Sequence, residues 1–145
     1  MYADYQDVWK TLTAPGGDFE IVTQELRGYP IRAYANAPHS LRDVFLSSAQ
    51  YADRDYLIFN EERLTYTQAH DQVRSIGLWL ISRNVQPGDR VAIAMRNYPE
   101  WLLAYWATLS IGATVVGMNA WWTSPEMAYA LNDAKPKVIV VDQER

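Results

Sequence analysis

The stretch NVQPGDRVAIAMRNYPEWLLAYWA, residues 84–107, decides the fold of this chain. Within it Pro87–Gly88 predicts a turn, and Arg90–Met95, rich in small and β-branched residues, predicts a short strand. Pro99 lies at the start of a Trp-rich helix that Gly112 is expected to end. A turn, a strand and a helix in direct succession form the repeating unit of a parallel α/β sheet.

The same alternation continues along the chain. A helix is predicted from Thr67, strands are predicted at 114–119 and 137–142, and Ser124–Pro125–Glu126 is expected to cap a helix that extends to Asp133. The order from residue 67 is therefore helix, strand, helix, strand, helix, strand, which implies right-handed crossovers and a parallel sheet. Because the last strand is apolar almost throughout, we expect it to be covered on both faces.

The first half of the chain carries weaker patterns. Residues 2–12 predict a short helix, whereas apolar residues in 20–39 are spaced too irregularly for an assignment. Ser40 is expected to cap a second helix. Tyr56–Phe59 and Arg63–Tyr66, joined by a polar turn, predict a β-hairpin.

Several polar and glycine residues admit a functional as well as a structural interpretation. Asn97 and Glu100 have the spacing of a capping box, which favours a helix cap over a catalytic pair. Gly88–Asp89 is interpreted as a turn rather than an active loop. Gly112 and Gly117 are not followed by the Gly–Lys of a phosphate-binding loop, which argues against a nucleotide site in this segment.

Composition narrows the class of protein. The 145 residues, 49% hydrophobic and 21% charged, suit one globular domain. The net charge of −4, without a basic run, argues against nucleic-acid binding, and the absence of cysteine excludes disulfides and thiolate chemistry. The start of the chain lacks a secretory-signal pattern, and no apolar run is long enough for a membrane span.

His39 and His70 have no partner at metal-ligand spacing and are interpreted as solvent or packing residues.

Aromatic residues raise the question of what covers them. The helix over 98–111 is apolar on nearly every side, so we expect a second cover beyond the sheet, either more of the same chain or a second copy. The pair Trp121–Trp122 admits two interpretations. It is either buried core or domain contact, or a surface for absent protein or an acyl chain.

An ordered series of motifs over residues 64–142 resembles the N-terminal part of the adenylate-forming superfamily. This is the group of acyl-CoA synthetases and other AMP-dependent ligases, nonribosomal peptide adenylation domains and luciferases. The upstream residues 39–59 resemble the family's opening helix and strand more loosely. The matching pieces are Thr65–Tyr66, Pro87–Gly88–Asp89–Arg90–Val91, Asn97 with Glu100, Gly112–Ala113, Asn119, Ser124–Pro125–Glu126 and Asn132–Asp133.

The resemblance implies a two-step reaction, in which a carboxylate and Mg-ATP give an acyl-adenylate and a thiol such as CoA then displaces AMP. It implies that the phosphate loop, the adenine and ribose contacts and the catalytic lysine lie outside residues 1–145. On this basis no catalytic, cofactor-binding or metal residue is named, and neither ATP, Mg²⁺ nor CoA is expected to bind this chain alone. The expected organisation is an N-terminal extension over 1–39 and an incomplete first part of the AMP-binding domain over 40–145.

Two functions follow from these patterns. In the first, the chain is the N-terminal fragment of a cytoplasmic acyl-CoA synthetase, inactive alone, whose other partners are the rest of the parent chain and a fatty or aryl acid. Peripheral membrane association is left open. In the second, the chain is a stand-alone binding module that dimerises through helix 98–111 and Trp121–Trp122. The sequence does not specify the acid, the thiol acceptor, the oligomeric state or the origin of the chain.

Overall fold

The computed structural model describes the backbone of residues 2–144 and the side chains of residues 4–144. The chain forms two compact units, Met1–Ser40 and Leu41–Arg145. Each unit is described by itself below. Among the described residues, none of the helices combines the length and the apolar character needed to cross a membrane.

The first unit contains a helix and a β-hairpin. The helix α1 spans Tyr2–Thr13, and the antiparallel strands β1 and β2 span Ile21–Leu26 and Tyr29–Tyr34. The two-residue turn between the strands, Arg27–Gly28, has positive φ at both positions, 51° and 83°. Such turns match the twist of a hairpin, but Arg is not one of the residues that signal them. The segment 20–39, for which the sequence pattern allowed no assignment, therefore contains a hairpin whose turn lacks the usual sequence signal.

The second unit is an α/β fold with a parallel sheet, as predicted. Strands β3 and β4 pair as an antiparallel hairpin, and the parallel strands lie in the order β6-β5-β7. Its elements in chain order are α2 Leu41–Ser47, a 3₁₀ turn Ser48–Tyr51, β3 Asp55–Phe59, β4 Glu62–Thr65, α3 Tyr66–Ser82, β5 Arg90–Ala94, α4 Pro99–Ser110, β6 Thr114–Gly117, α5 Ser124–Ala134 and β7 Val138–Val141.

The two crossover helices lie on opposite faces of the parallel sheet. The chain moves from β5 to β6 through α4, and then back past β5 to β7 through α5. Because both crossovers are right-handed and run in opposite directions, each helix reaches a different face. The packing agrees, since Ile93 packs with Ala104 of α4, whereas Ala92 and Ala94 pack with Met127 of α5.

The helix α4 is apolar on nearly every side because its own chain covers it twice. One side packs on the sheet, and the other meets α2, α3 and the β3–β4 hairpin. Trp106 stacks on Phe45 of α2 at 5.0 Å, and Ile111 packs against Gly77 of α3. Of the residues of α4, all of which the structure describes, Glu100 alone is exposed. The second cover is therefore supplied within residues 41–144, and neither further chain nor a second copy is needed for it.

The helix caps differ from the predicted ones. The residue before α4 is Tyr98, and no side chain caps this helix. Asn97, predicted as the cap, lies one residue too early, because Pro99 already takes the first helical position. Capping boxes occur instead before α5, where Thr123 rather than Ser124 pairs with Glu126, and before α3, as described in the Discussion.

The strand β7 is an edge strand, which corrects the expectation that it is covered on both faces. Its alternate residues Ile139 and Val141 are 43% and 49% exposed. The doubly covered strand is β5, whose residues from Val91 to Ala94 are all buried. An apolar run predicts membership of a parallel sheet, but the strand order decides which strand lies at its centre.

Candidate functional site

A cleft opens where the loops after β5 and β6 separate. These two strands are neighbours, and the chain leaves them towards opposite faces of the sheet, through α4 and α5. Open α/β sheets bind ligands at the carboxyl ends of their strands, and this cleft lies at that edge. The cleft has a volume of about 610 Å³, within the usual range for small-molecule sites.

The walls of the cleft combine aromatic and polar residues. Trp101 of α4 forms one wall and stacks on Tyr105 at 5.5 Å between ring centres. Trp121 belongs to the lining that follows β6. The complete lining is Met95, Arg96, Asn97, Trp101, Gly117, Met118, Asn119, Ala120 and Trp121.

Arg96, the second residue after β5, connects all three strand ends. Its backbone N–H donates to Oδ2 of Asp142 at 3.0 Å, just beyond β7, and its guanidinium forms an ion pair with Glu144. The guanidinium carbon lies 5.8 Å from the ring centre of Trp121, after β6. Its Nε atom is buried and has no acceptor among the described residues. Arg96 is therefore held in place while part of its hydrogen-bonding capacity is unmet.

The two adjacent tryptophans have different environments. Trp122 is partly buried and packs on the cluster of Ala92, Ala94 and Met118 under α5. Trp121 is 76% exposed, and its backbone N–H donates to Oδ1 of Asn119 at 2.9 Å. Each of the two sequence interpretations thus applies to one residue, with Trp122 in the core and Trp121 at the cleft.

A second hollow lies between the ends of β5 and β7. Its charged residues are acidic, whereas the charged residue of the cleft is Arg96. Its volume is about 420 Å³, and four carboxylates line it, from Glu62, Glu100, Asp142 and Glu144. Within residues 2–144 no group of three or more histidine, cysteine or acidic side chains is arranged to hold a metal ion. The hollow therefore offers hydrogen-bond acceptors and negative charge, but its carboxylates are not arranged as a metal site.

The turn at Gly88–Asp89 has a structural role, as interpreted. Oδ2 of Asp89 accepts hydrogen bonds from the Gln86 N–H at 2.8 Å and from Nζ of Lys137 at 2.9 Å. The Lys137 bond, followed by the Gln86 bond, lowers the pKa of the Asp89 carboxyl. This pair fixes the start of β7 to the start of β5.

The histidines do not form a catalytic site. His39 is exposed, whereas His70 stacks on Phe45 at 4.1 Å, and burial lowers the pKa of its imidazole, with Asp71 opposing. Ser48 lies 3.0 Å from Nε2 of His70, but its hydroxyl donates to the carbonyl of Phe45 at 2.6 Å. Because a hydroxyl has one hydrogen, the bond to the Phe45 carbonyl leaves none for His70, and this arrangement does not match an activated serine.

The sequence analysis named no catalytic, cofactor-binding or metal residue in this chain, and that statement stays a prediction. It also did not single out the cleft or Arg96, although Arg96 is the second residue after the central strand and the carboxyl end of a parallel strand is the usual place for a ligand contact. What the sequence lacked was the strand order. Only that order shows that the segments after β5, β6 and β7 meet.

Comparisons with known proteins agree on one family. The family model described as AMP-binding enzyme matches residues 44–145. The medium/long-chain-fatty-acid–CoA ligase FadD6 of Mycobacterium tuberculosis is 33% identical over 113 residues, which are 77% of this chain and 19% of the relative. The long-chain-fatty-acid–CoA ligase of Bacillus subtilis is 31% identical over 65% of this chain and 17% of the relative. The chain thus spans about a fifth of the length of these curated relatives.

A solved structure has the same fold. The N-terminal subdomain of NpsA from Klebsiella oxytoca, in complex with 3-hydroxyanthranilyl-AMSN, matches 72% of this chain and 27% of that chain. The TM-score is 0.67 and the sequence identity is 27%. The fold of this chain is therefore similar to that of the NpsA N-terminal subdomain.

Proposed function

The chain belongs to the AMP-binding enzyme family, and we propose that it forms the N-terminal part of an ATP-dependent acid–thiol ligase. The parent enzyme would join a carboxylic acid to AMP, release pyrophosphate, and then transfer the acyl group to the thiol of CoA. The observation that carries the proposal is the match of the family model to residues 44–145, nearly the whole second unit. The identity to two fatty-acid–CoA ligases supports the choice of CoA as acceptor.

We do not place Mg-ATP on the described residues. The segment 112–117 lacks the Gly–Lys of a phosphate-binding loop, and its residues Thr114–Gly117 form the strand β6. No step of the reaction is therefore assigned to residues of this chain, and we assign the contacts with ATP, Mg²⁺ and CoA to other parts of the parent enzyme.

In this proposal the chain contributes a scaffold. Its sheet is covered on one face by α3 and α4 and on part of the other by α5, so the carboxyl edge and its cleft are held rigidly. A site built on packed strands and helices is positioned more accurately than one built on loops. We propose that the chain alone does not perform the reaction.

The acid would be a fatty or an aryl acid. The fatty-acid alternative is supported by the names of the two ligases, and the aryl alternative by the 3-hydroxyanthranilyl compound bound to NpsA. A cytoplasmic location of the parent enzyme stays a prediction.

The test is carboxylate-dependent exchange of pyrophosphate into ATP. We expect exchange with the full-length product of the gene in the presence of a panel of alkyl and aryl acids, and none with the 145-residue chain. Exchange by the 145-residue chain would contradict the scaffold role. A full-length protein that exchanges with no acid of the panel would contradict the ligase assignment.

The alternative of a stand-alone dimeric module loses much of its basis. It relied on an uncovered face of α4, and that face meets α2, α3 and the β3–β4 hairpin within the chain. Trp121 is the part of the suggested interface that is exposed. Light scattering on the chain measures its oligomeric state directly, and a stable dimer that Trp121→Ala dissociates would restore this alternative.

A further inference from the structure

We propose that the first unit is a dimerisation module, in which the outer edge of β1 pairs antiparallel with the same edge in a second copy of the chain. The two hairpins then form one four-stranded sheet, with the two β1 strands side by side at its centre. The inference goes beyond the proposed function, because the first unit ends at Ser40 and the match to the family model begins at residue 44.

The first support is the lack of a core in this unit. None of the side chains that the structure describes between residues 4 and 40 is buried. The chain has no cysteine, and among residues 2–144 no group of three or more histidine, cysteine or acidic side chains is placed to hold a metal. Units of this size usually need a disulfide, a metal or oligomerisation, and a two-stranded hairpin alone is marginally stable at best. A partner that adds strands to the hairpin supplies the missing stabilisation.

The second support is the open outer edge of β1. Across the hairpin, the carbonyl of Glu20 accepts from the N–H of Ala35 at 2.8 Å. Because ladder bonds alternate along antiparallel strands, the even-numbered residues of β1 bond to β2, and the backbone groups of Ile21, Thr23 and Glu25 point outward. No other element within residues 2–144 makes a backbone hydrogen bond to these outward groups. A row of unpaired backbone groups is a template for pairing with another strand.

The outer edge of β2 is protected, whereas that of β1 is not. By the same alternation the nitrogen of Pro30 lies on the outer edge of β2, and proline has no N–H to donate. At the other end of this edge, the carbonyl of Tyr34 accepts from the N–H of Ala37 at 3.2 Å. Proline and local turns are devices that keep an edge from pairing with another chain. The sequence of β1, IVTQEL, contains neither proline nor lysine, so β1 is the edge that can accept a strand.

The third support is the symmetry of the outward groups of β1, which selects a second copy as the partner. Thr23 lies midway between Ile21 and Glu25, so a two-fold axis at Thr23 uses every outward group of both strands. Thr23 then lies opposite the partner subunit's Thr23, and Ile21 lies opposite the partner subunit's Glu25. Each of these pairs exchanges two backbone hydrogen bonds. Threonine pairs are favourable across strands, and the register keeps the two carboxylates from lying directly opposite each other, which would be destabilising.

The first experiment is disulfide cross-linking of the 145-residue chain, which has no cysteine of its own. Thr23→Cys places two thiols at the two-fold axis, where the Cα atoms of a hydrogen-bonded pair are about 5.5 Å apart, within disulfide range. We expect mild oxidation to convert most of this variant into a covalent dimer. Arg32→Cys is the matched control, because Arg32 is exposed and lies opposite Thr23 in the hairpin, but on β2. This control should stay monomeric on a non-reducing gel.

The second experiment uses two proline variants that remove no hydrogen bond within the hairpin. Thr23→Pro deletes an outward N–H of β1, and Arg32→Pro deletes an outward N–H of β2. Sedimentation equilibrium of the 145-residue chain should show a dimer whose dissociation constant rises at least tenfold in Thr23→Pro and changes less than twofold in Arg32→Pro. The dimer should persist in Trp121→Ala, because Trp121 belongs to the second unit.

Four outcomes would overturn the inference: a chain that is monomeric at every concentration tested, covalent dimers in both cysteine variants, covalent dimers in neither, or a dimer that Thr23→Pro leaves unchanged. Cross-linking of Thr23→Cys retains every backbone donor, so it decides the matter even where Thr23→Pro does not fold.

The full-length product of the gene distinguishes a second copy from the other possible occupant of this edge. Thr23→Cys in that protein should also give a covalent dimer. A full-length variant that stays monomeric on oxidation would assign the edge of β1 to another part of the parent enzyme and overturn the inference. Pyrophosphate exchange is measured separately, so either result leaves the proposed function to its own test.

Discussion

Trp106 of α4 donates its indole Nε1–H to the hydroxyl of Tyr56 on β3, at 2.7 Å. Both side chains are partly buried, and burial raises the pKa of the Tyr56 phenol, with the Trp106 bond opposing and Tyr66 adding to the increase. The bond connects the β3–β4 hairpin to the helix that lies on the parallel sheet. It is one reason why the outer side of α4 is covered without a second chain.

Removing the acceptor should destabilise the second unit. Tyr56→Phe leaves the indole N–H of Trp106 without its partner in a partly buried place, which costs about 1–2 kcal/mol of unfolding free energy. Tyr129→Phe is the matched control, because Tyr129 is 76% exposed and its replacement should change little. Urea denaturation followed by far-ultraviolet circular dichroism measures the unfolding free energy of both variants. Equal midpoints for the two variants would contradict the prediction.

The observed helix caps give a second prediction. The Thr65 hydroxyl accepts from the Gln68 N–H at 3.2 Å, and the Gln68 side chain accepts from the Thr65 N–H at 2.9 Å. Thr65→Ala should therefore cost about 1 kcal/mol, whereas Asn97→Ala, at the position predicted from sequence, should have no measurable effect. Thermal unfolding compares the two, and a larger loss in Asn97→Ala would restore the cap predicted from the sequence.

Replacement by alanine should reduce the stability of the chain unequally at two glycines. Gly88 lies in the turn before β5, and Gly112 follows α4. Gly88 and Gly112 both have positive φ, 86° and 78°, so alanine costs about 1–2 kcal/mol at either position. A Cβ at Gly88 would meet nothing within 4 Å, but at Gly112 it would lie 3.2 Å from Cβ of Pro87. Gly112→Ala should be the more destabilising. Chemical denaturation measures the unfolding free energy of both variants. A larger loss in Gly88→Ala than in Gly112→Ala would contradict the described packing of this turn.

The stability of the second unit should fall as the pH is lowered below about 6.5, the ordinary pKa of an unfolded histidine. Burial lowers the pKa of His70 in the folded chain, so the unfolded chain binds a proton at higher pH than the folded chain does. Stability therefore rises with pH through this interval and is lost on acidification.

The variant that tests this assignment is His70→Gln, which should flatten the dependence of unfolding free energy on pH just below about 6.5. His39→Gln, at an exposed position, is the control and should retain the slope of the unchanged chain. Retention of the full slope in His70→Gln would assign the dependence to other groups.

Local patterns predicted most of the elements of the second unit. The hairpin at β3–β4 differs from its prediction mainly in that Tyr66 begins α3 instead of ending the strand. Gly112, which was expected to end α4, follows that helix with a left-handed backbone at φ of 78°, and Asn84 after α3 has φ of 63°. These features depend on residues close together in the chain, and so their signals are present in a short window.

Two local signals were less informative. The hairpin β1–β2 was not recognised because an Arg–Gly turn resembles none of the usual hairpin signals. The cap before α4 was misplaced by one residue because Asn97 has the right chemistry but Pro99 sets the helix start.

The sequence by itself determined the α/β class, the parallel sheet and the family, because alternating periodicity and an ordered series of motifs are local properties of the chain. The tertiary structure decided which strand is central, what covers α4, and that Arg96 meets both Trp121 and Glu144. The physical reason is that strand order is set by crossovers that span tens of residues. Side chains at the ends of different strands become neighbours only after those strands have paired.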